Sequence, residues 1–325
     1  MAILGIDEVG RGPLAGPLVV GAVVLPDEEC EWFQELNDSK KLTAKKREWL
    51  NDIILQEAAA GLGWVHVGEL DRLGISDSLR LATRRAVKSV QALHMPFSQI
   101  IIDGKVNFLS GTSLEGYVST CIKADAKFKA VSAASIVAKV ARDHYMMGLD
   151  SKYPDYGFAK HVGYGTAGHV KAIYAYGLCP EHRRSFEPCK TLSDFQLPTK
   201  VKKNTTEVGK QAELAVAEYL EQQGHHVIAR NHKTYFYEID VISVKGDRIY
   251  FTEVKYRRSD YRGVPFDAID RNKQQRMRFA AESYLKYVTS DRQLRHLSPI
   301  LAVAAVTGGF MDSETSPAVT WFPIY

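Results

Sequence analysis

Two adjacent carboxylates and a Gly-Arg-Gly segment separate the first two apolar runs of this chain. The first run, 3–6 (ILGI), ends at Asp7 and Glu8. Gly10-Arg11-Gly12 follows, and the second apolar run covers 17–25. Short apolar runs bounded by glycine and acidic residues predict buried strands. The acidic segment therefore has to lie where one strand gives way to the next.

Two further apolar runs are followed by an acid, which indicates a shared site. Asp103 ends the run 99–103, and Asp125 lies just past the run 116–122. Functional groups in α/β sheets gather at strand ends. Carboxylates brought together there repel one another unless a cation lies among them, and hard oxygen ligands suit Mg²⁺ or Mn²⁺. Two such ions can activate a water and stabilise the leaving oxygen in phosphodiester cleavage.

Each acid also has a simpler interpretation, because a single Asp at a strand end is most often a turn residue or a helix cap. Neighbouring residues of a regular strand point to opposite faces. Asp7 and Glu8 therefore reach one site only if the strand ends there, which the following glycines permit.

Apolar periodicity predicts two α/β domains joined by a linker. The expected domains are 1–187 and 207–325, with the linker at 188–206. In the first, we expect strands at 2–7, 17–25, 63–67, 99–103 and about 116–122, and helices at 43–58, 78–93 and 131–147. In the second, we expect helices at 207–224 and about 270–288, and strands at about 226–230, 236–244, 248–256 and 299–306.

Composition limits the environment and the partners. The chain has 325 residues with a net charge of +4, and its basic residues cluster at 39–48, 84–88, 182–185, 200–203 and 255–262. Such clusters are commonly solvated faces, but five of them beside acidic motifs favour an anionic partner. The sequence has no membrane-spanning run, no secretory signal and four cysteines outside any C-x-x-C motif, which predicts a cytoplasmic protein with free thiols. It does not indicate an oligomeric state.

Motifs across nearly all of 1–187 resemble the ribonuclease HII family. They are GIDEVGRGPLAGP (5–17), DSKKLT (38–43), IIDG (101–104), KADAKF with VSAASIVAKVARD (123–143), YPDYGFAKHVGYGT (153–166) and HRRSF (182–186). The resemblance implies a ribonuclease-H-like mixed sheet with flanking helices. It also implies an endoribonuclease that cleaves the RNA strand of RNA–DNA hybrids, and cuts duplex DNA at embedded ribonucleotides, leaving 5′-phosphate and 3′-hydroxyl ends.

The resemblance also implies roles for individual residues. The metal-binding acids of the family correspond to Asp7, Glu8, Asp103 and Asp125. Gly10, Arg11 and Gly12 would read the ribose 2′-hydroxyl through backbone groups, since a side chain there would block the approach. Tyr164 would stack against the sugar of the next nucleotide, and Asp143 would be a supporting residue. Phosphates would be held by Ser39, Lys40, Arg183 and Arg184.

The second half contains a predicted hairpin with an acidic pair. A two-residue turn at Gly246-Asp247 places Asp240 opposite Glu253 and Lys255 on the same face as Glu253. Like charges directly opposite one another are unfavourable. The group is therefore either a site for a metal ion and a water or a structural ion-pair cluster, and spacing alone does not separate the two.

Residues 207–325 resemble the YraN-like family, and the hairpin resembles the PD-(D/E)XK nuclease core. The resemblance implies a smaller restriction-endonuclease-like α/β domain in which Asp240 and Glu253 bind a divalent metal and Lys255 orients a water. Glu213 would assist, and Gln275 would line the site. The chain departs from the family at Tyr237, where a glycine is usual. Three hypotheses follow: two nucleases that act on ribonucleotide-bearing and on branched DNA, one nuclease with a DNA-binding module, or a non-catalytic protein with ion-pair clusters.

Overall fold

The computed structural model describes residues 2–194, 207–257, 271–289, 291–308 and 317–324. The chain separates into two compact units, one formed by Met1–His169 with Leu178–Asp194, the other by Val170–Gly177 with Phe195–Tyr325. The expected domain boundaries remain a prediction. The expected linker 188–206 begins with a helix, Cys189–Asp194, in which Cys189 and Leu192 are buried. The remainder of that linker lies outside the described residues.

The first unit contains five strands and most of the helices. The strands are β1 (Ile3–Val9), β2 (Leu18–Val24), β3 (Ala59–Val65), β4 (Gln99–Asp103) and β5 (Val118–Cys121). Its helices are α1 (Ala44–Glu57), α2 (Val67–Gln91), α3 (Lys129–Lys152), α4 (Phe158–His161) and α6 (Cys189–Asp194). Helix α5 (Ala167–Tyr176) begins in this unit, and its part from Val170 onward belongs to the second. Short 3₁₀ helices lie at Glu31–Glu35, Glu115–Tyr117, Ala124–Ala126 and Pro154–Tyr156.

These strands form one mixed sheet in the order β3-β2-β1-β4-β5, which confirms the expected fold class. The first three strands are antiparallel, whereas β4 and β5 run parallel to β1. Helix α2 packs on one face, and α1 and α3 pack on the other. Helix α3 lies so close to β1 that a Cβ atom added at Gly5 would be 2.2 Å from the backbone of Ala130. The small residues of both elements therefore set the position of the sheet.

Two elements of the first unit begin earlier than their sequence indicates. Strand β3 starts at Ala59 and ends at Val65, so the expected strand at 63–67 covers only its end. Helix α2 starts at Val67 rather than near Ser78, and Gly74 interrupts it with a φ of 73°. Gly61 and Gly63 dilute the apolar pattern of β3, and Gly74 breaks the helical period of α2 before Ser78, which concealed both starts.

The second unit is a five-stranded sheet with two principal helices. Its elements are α7 (Glu207–Gln222), β6 (His226–Lys233), β7 (Glu238–Lys245), β8 (Arg248–Arg257), α8 (Arg271–Ser283), β9 (Ser298–Thr307) and β10 (Ala318–Ile324). A π-helical turn, Tyr284–Val288, continues α8, and a 3₁₀ helix covers Leu294–His296. The strand order is β10-β9-β8-β7-β6, with β8 and β9 parallel. Strand β10 was not expected from the sequence.

The predicted hairpin is confirmed. Lys245 pairs with Arg248 across the turn, and the ladder continues to Val241 opposite Thr252. Asp240 and Glu253 are the next residues on the two strands. Within the described ranges, no helix is long and apolar enough to cross a membrane.

Candidate active site

The sheet of the first unit brings the four predicted acids to neighbouring positions. Strands β1 and β4 are parallel neighbours whose last paired residues are Ile6 and Ile102, so Asp7 and Asp103 come next on each strand. Asp103 itself pairs with the last residue of β5, and Asp125 follows in the 3₁₀ helix Ala124–Ala126. The backbone N–H of Ala124 donates to Asp103 Oδ1 at 2.7 Å, which ties the two acidic segments together.

Among these acids, Asp7 has the most strongly shifted pKa. Its side chain is 9 % exposed, and Oδ1 accepts a hydrogen bond from the Glu8 backbone N–H at 2.8 Å. Burial raises the pKa of Asp7 from 3.8 to about 7, and the charges of Glu8 and Asp103 add to the increase. A hydrogen bond from Ser135 opposes it. The folded protein therefore keeps a carboxylate here at a considerable electrostatic cost.

Asp103 is the common neighbour of the other three acids. Burial is the largest cause of the raised pKa values of Asp7, Glu8 and Asp125, and the charge of Asp103 raises each of them further. The positive charge of Lys40 acts in the opposite direction on Glu8 and Asp125. Four carboxylates thus share one electrostatic environment.

One expectation about β1 is wrong. The strand continues to Val9, so Asp7 and Glu8 lie inside it rather than beyond its end. The charge of Asp103 nevertheless raises the pKa of both, so the two carboxylates are near the same neighbour without the strand ending between them. Glu8 instead accepts a hydrogen bond from the Arg11 guanidinium, with Nη1 at 3.0 Å from Oε1. Within the described ranges, no three His, Cys, Asp or Glu side chains are grouped closely enough to hold a metal ion as they stand.

The glycine-rich segment after β1 rests on a buried arginine. Arg183 is 0 % exposed and donates to three backbone carbonyls: Nε to Gly16 O at 2.9 Å, Nη1 to Arg11 O at 3.1 Å and Nη2 to Gly10 O at 2.7 Å. Burial, followed by the charge of Arg142, lowers the pKa of Arg183 to about 9. The expectation that Arg183 binds phosphate is therefore wrong, because every guanidinium nitrogen is buried and already donating.

Arg142 supports the other end of the same segment. It is also fully buried, and its guanidinium donates to the carbonyls of Ala15, Pro17 and Val162 at 3.0–3.1 Å. Gly10 has a φ of 90°, and a Cβ atom there would lie 2.5 Å from Arg142 Nε. The glycine is therefore required both by the backbone conformation and by the arginine beneath it.

The hydrogen bonds from Arg183 to the carbonyls of this segment also determine which way its N–H groups point. In a trans peptide, a carbonyl and the N–H of the next residue point in opposite directions. Because the carbonyls of Gly10 and Arg11 point inward to Arg183, the N–H groups of Arg11 and Gly12 point outward. Arg11 and Gly12 are exposed, so the segment presents backbone donors to solvent.

Tyr164 lies beside this segment. Its side chain is 44 % exposed, and a Cβ atom added at Gly12 would be 4.0 Å from its Cε1 atom. The carbonyl of Gly163 accepts hydrogen bonds from the N–H groups of Leu14 at 2.8 Å and Ala15 at 3.3 Å. The tyrosine and the Gly-Arg-Gly segment are therefore held together through the backbone.

The other residues expected to hold phosphate divide into two groups. Lys40 and Arg184 are exposed, and the backbone N–H of Arg184 is anchored to Asp71. The Ser39 hydroxyl is buried 2.9 Å from the Ser135 hydroxyl, and a phosphate contact at Ser39 stays a prediction. Asp143, which was expected to be a supporting residue, forms an ion pair with Lys139 one turn earlier in α3.

A second acidic group lies on the hairpin of the second unit. Asp240 Oδ2 accepts the Val254 N–H at 2.7 Å. Glu253 is buried, with Oε1 2.6 Å from Lys255 Nζ and Oε2 2.8 Å from Lys273 Nζ. Burial alone would raise the pKa of Glu253, but the two ammonium groups lower it below its usual value. As it stands, the group is an ion-pair cluster with Asp240 as its neighbour.

Helix α8 presents Lys273 rather than Gln275 to this group. Gln275 is exposed, because it lies two positions after Lys273 and therefore on another side of the helix.

Tyr237 is buried, and within the described ranges no partner is found for its hydroxyl. Glu213, which α7 carries, is half-buried.

Four residues that act on the acidic groups or on the Gly-Arg-Gly segment were not identified from the sequence: Asp38, Ser135, Arg142 and Lys273. Ser135 and Arg142 are polar residues of helix α3, and an amphipathic pattern predicts which residues are buried but not which atoms they reach. Lys273 belongs to a helix rich in basic residues. Asp38, whose charge raises the pKa of Asp125, belongs to a recognised motif.

Comparison with known proteins is consistent with both halves of this description. The family model "Ribonuclease HII" matches residues 4–189, and the model "Uncharacterised protein family UPF0102" matches residues 212–303. Ribonuclease HII of Shewanella loihica is 47 % identical over 189 residues, which cover 57 % of this chain and 87 % of that protein. Ribonuclease HII of Coxiella burnetii is 42 % identical over 196 residues, covering 60 % of this chain and 93 % of the relative.

A solved structure shares the fold of part of this chain. The crystal structure of ribonuclease H2 from Pyrococcus horikoshii superimposes with a TM-score of 0.51 and 30 % identity, and the match covers 60 % of this chain and 98 % of that one. The first family model spans more than half of the chain, in the region that contains the four acids and the Gly-Arg-Gly segment. On this evidence the chain belongs to the ribonuclease HII family.

Proposed function

We propose that this protein is an endoribonuclease that hydrolyses the RNA strand of RNA–DNA hybrids and cuts duplex DNA at embedded ribonucleotides. The observation that carries the proposal is the shared electrostatic environment of Asp7, Glu8, Asp103 and Asp125 on and beside the adjoining strands β1 and β4. Its relatives named ribonuclease HII support the same substrate class.

The four acids fit divalent cations by the chemistry of their donors. Within the described ranges, no ion pair is found for Asp7, Asp103 or Asp125. Burial, followed by the charges of neighbouring carboxylates, raises the pKa values of Asp7 and Asp125. Carboxylate oxygens without a protein cation suit Mg²⁺ or Mn²⁺. Such ions, once bound, supply water activation and stabilise the leaving oxygen. Asp7, Glu8, Asp103 and Asp125 are the residues that would hold them.

Substrate selection falls to the exposed backbone donors of Arg11 and Gly12. A ribose 2′-hydroxyl accepts and donates hydrogen bonds, whereas deoxyribose offers neither at that position. The outward N–H groups, with no side chain at Gly12, give a close approach to the 2′-oxygen. Tyr164 beside them then contacts the sugar of the neighbouring nucleotide. Exposed Lys40 and Arg184 bind phosphates and set the register without reading sequence.

The decisive experiment is cleavage of four matched duplexes in Mg²⁺ or Mn²⁺. One carries a single ribonucleotide, one carries a 2′-O-methyl nucleotide there, one is all DNA, and one is an RNA–DNA hybrid. We expect cutting of the first and last only, with 5′-phosphate and 3′-hydroxyl ends. A 2′,3′-cyclic phosphate would mean that the 2′-hydroxyl is the nucleophile and would contradict hydrolysis. Equal cutting of all-DNA duplex would contradict the selection by Arg11 and Gly12.

The second unit is proposed to cut branched DNA, on the observation that Asp240, Glu253 and Lys255 come together on one hairpin. Asp240 and Glu253 would hold a divalent metal there, and Lys255 would orient a water. The alternative is a module that binds DNA without cutting it, and the ion pairs of Glu253 with Lys255 and Lys273 are compatible with both.

Full-length protein with Asp103→Asn provides the test, since the first site is then silenced. With flap and four-way DNA, we expect metal-dependent cutting that Lys255→Ala lowers about a hundredfold, because proton transfer or water orientation is lost. Lys210→Ala, at an exposed lysine of α7, is the matched control and should change nothing. Binding of these substrates without cutting would establish the DNA-binding alternative.

A further inference from the structure

Two buried histidines of the first unit, His169 and His182, form a cluster with the half-buried His161 that the proposed chemistry does not use. The rings of His161 and His169 are stacked, with centroids 4.3 Å apart and planes at 18°. His169 Nε2 lies 3.1 Å from His182 Nε2. His169 and His182 are 0 % and 1 % exposed, so no water replaces a partner that either ring loses.

The outer partners determine where each proton lies. His182 Nδ1 accepts the backbone N–H of Cys179 at 3.0 Å, so the proton of His182 is on Nε2. His169 Nδ1 lies 2.9 Å from the Tyr164 carbonyl oxygen, which can only accept. His169 is therefore protonated on Nδ1, and its Nε2 accepts from His182. The pair forms a directed chain: Cys179 N–H to His182, His182 to His169, and His169 to the backbone of Tyr164.

His161 binds the residue before Tyr164. Its Nδ1 accepts the Gly163 N–H at 3.2 Å, and its Nε2 donates to the Tyr156 carbonyl at 2.9 Å. The N–H of Tyr164 donates to the carbonyl of His161 at 2.9 Å. Both sides of the Tyr164 backbone are thus bound to histidines, while its side chain is exposed beside Gly12.

Both buried rings stay neutral. Burial lowers the pKa of His182 to about 3 and that of His169 to about 4. His161 lowers the pKa of both rings further, and His169 and Arg184 also lower that of His182, whereas hydrogen bonds with the backbone of Tyr164 and Cys179 oppose these shifts. The chain of hydrogen bonds is consequently intact throughout the neutral pH range.

We propose that His169, with His182 behind it, is a positioning residue that sets the placement of Tyr164 and so the preference for a ribonucleotide followed by deoxyribonucleotides. The proposal rests on the proposed function, in which Tyr164 contacts the sugar of the neighbouring nucleotide. The exposed ring of Tyr164 can discriminate between sugars only if the backbone of Tyr164 is held in place. His169 holds the carbonyl of Tyr164 from the protein interior.

The test compares kcat/KM for duplex DNA with one ribonucleotide and for a continuous RNA–DNA hybrid. His169→Phe removes the donor but keeps a ring, and we expect it to lower the ratio of the two values about tenfold, since small misplacements have effects of this size. His169→Asn keeps a donor near the position of Nδ1 and should restore most of the ratio. His144→Phe, the same change at an exposed histidine paired with Glu48, should leave it unaltered.

A double-mutant cycle separates positioning from general support of the fold. In a Tyr164→Ala background, His169→Phe should not change the ratio further, because the group that it positions is absent. Equal losses on both substrates with an unchanged ratio would overturn the proposal and leave His169 a structural residue. Failure of the proposed function has a different signature, since the wild-type protein would then cut neither substrate.

Histidine ¹⁵N NMR of the wild-type protein tests the geometry without any variant. We expect His169 protonated on Nδ1 and His182 protonated on Nε2, with no change between about pH 6 and about pH 8.5. A His169 ring protonated on Nε2, or one that titrates in this range, would contradict the directed chain and overturn the proposal even if His169→Phe does not fold.

Discussion

Replacing Asp7 with asparagine is expected to make this protein inactive and more stable. Cleavage at an embedded ribonucleotide should fall by at least about a thousandfold, because a divalent cation loses a charged ligand. In the absence of divalent cations at about pH 8, the free energy of unfolding should rise by about 2–4 kcal/mol. The gain arises because a buried carboxylate next to Glu8 and Asp103 is replaced by a neutral amide.

Asp7 makes the folded protein less stable as the pH rises, because folding raises the pKa of this carboxyl group. The pKa of Asp7 is raised from 3.8 to about 7 on folding. The stability that the protonated form contributes is present below about pH 4 and is lost as the pH rises through about 7. The advantage of Asp7→Asn should therefore be small near pH 4 and grow until it levels off above pH 7.

Urea unfolding across this pH range, with EDTA present, measures the effect. Asp155→Asn, at an exposed acid of the same unit, is the control and should leave stability unaltered. Adding Mg²⁺ or Mn²⁺ should stabilise the wild-type protein but have little effect on Asp7→Asn, since binding to the folded state adds to stability. Equal stability of wild type and Asp7→Asn at every pH would contradict the electrostatic cost assigned to Asp7.

Replacing Arg183 with methionine should unfold or loosen the Gly-Arg-Gly segment. Arg183 donates to the carbonyls of Gly10, Arg11 and Gly16, and these oxygens lose their donors in a buried environment. The cost of the missing hydrogen bonds exceeds the relief of removing a buried charge, so we expect a loss of about 3–5 kcal/mol in unfolding free energy. Cleavage should fall about a hundredfold, because the N–H groups of Arg11 and Gly12 are no longer oriented.

Arg184 is a matched control supplied by the sequence itself. It is the adjacent arginine but is exposed, and its side chain has no role in holding the segment. Arg184→Met should keep the stability of the wild-type protein, raise KM and reduce the salt dependence of binding by about one phosphate contact. Thermal unfolding and salt titrations of the two variants would separate them. If Arg183→Met behaved like Arg184→Met, a role for Arg183 in supporting the Gly-Arg-Gly segment would be excluded.

Much of the secondary structure was predictable because hydrophobic periodicity records burial directly. The strand at 99–103, the helix at 43–58 and the hairpin turn at Gly246-Asp247 agree with the structure. The start of α2 and strand β10 were not predicted, because Gly74 breaks the helical period before Ser78 and Pro323 disfavours a strand in the run 318–324. The resemblance identified the acids and the glycines, since those residue types recur in fixed motifs, but it did not distinguish Arg183 from Arg184.

The sequence by itself determined the family and the fold class, because these depend on residue type and order, and it predicted which carboxylates share a site. Only the tertiary structure decided how the two arginines of HRRSF differ, because one guanidinium is buried under the carbonyls of Gly10 and Arg11 while its neighbour faces solvent. It also decided that His169 binds the backbone of Tyr164. Such contacts join segments far apart in the chain through backbone atoms, and no side-chain pattern along the sequence encodes which carbonyl a buried donor will meet.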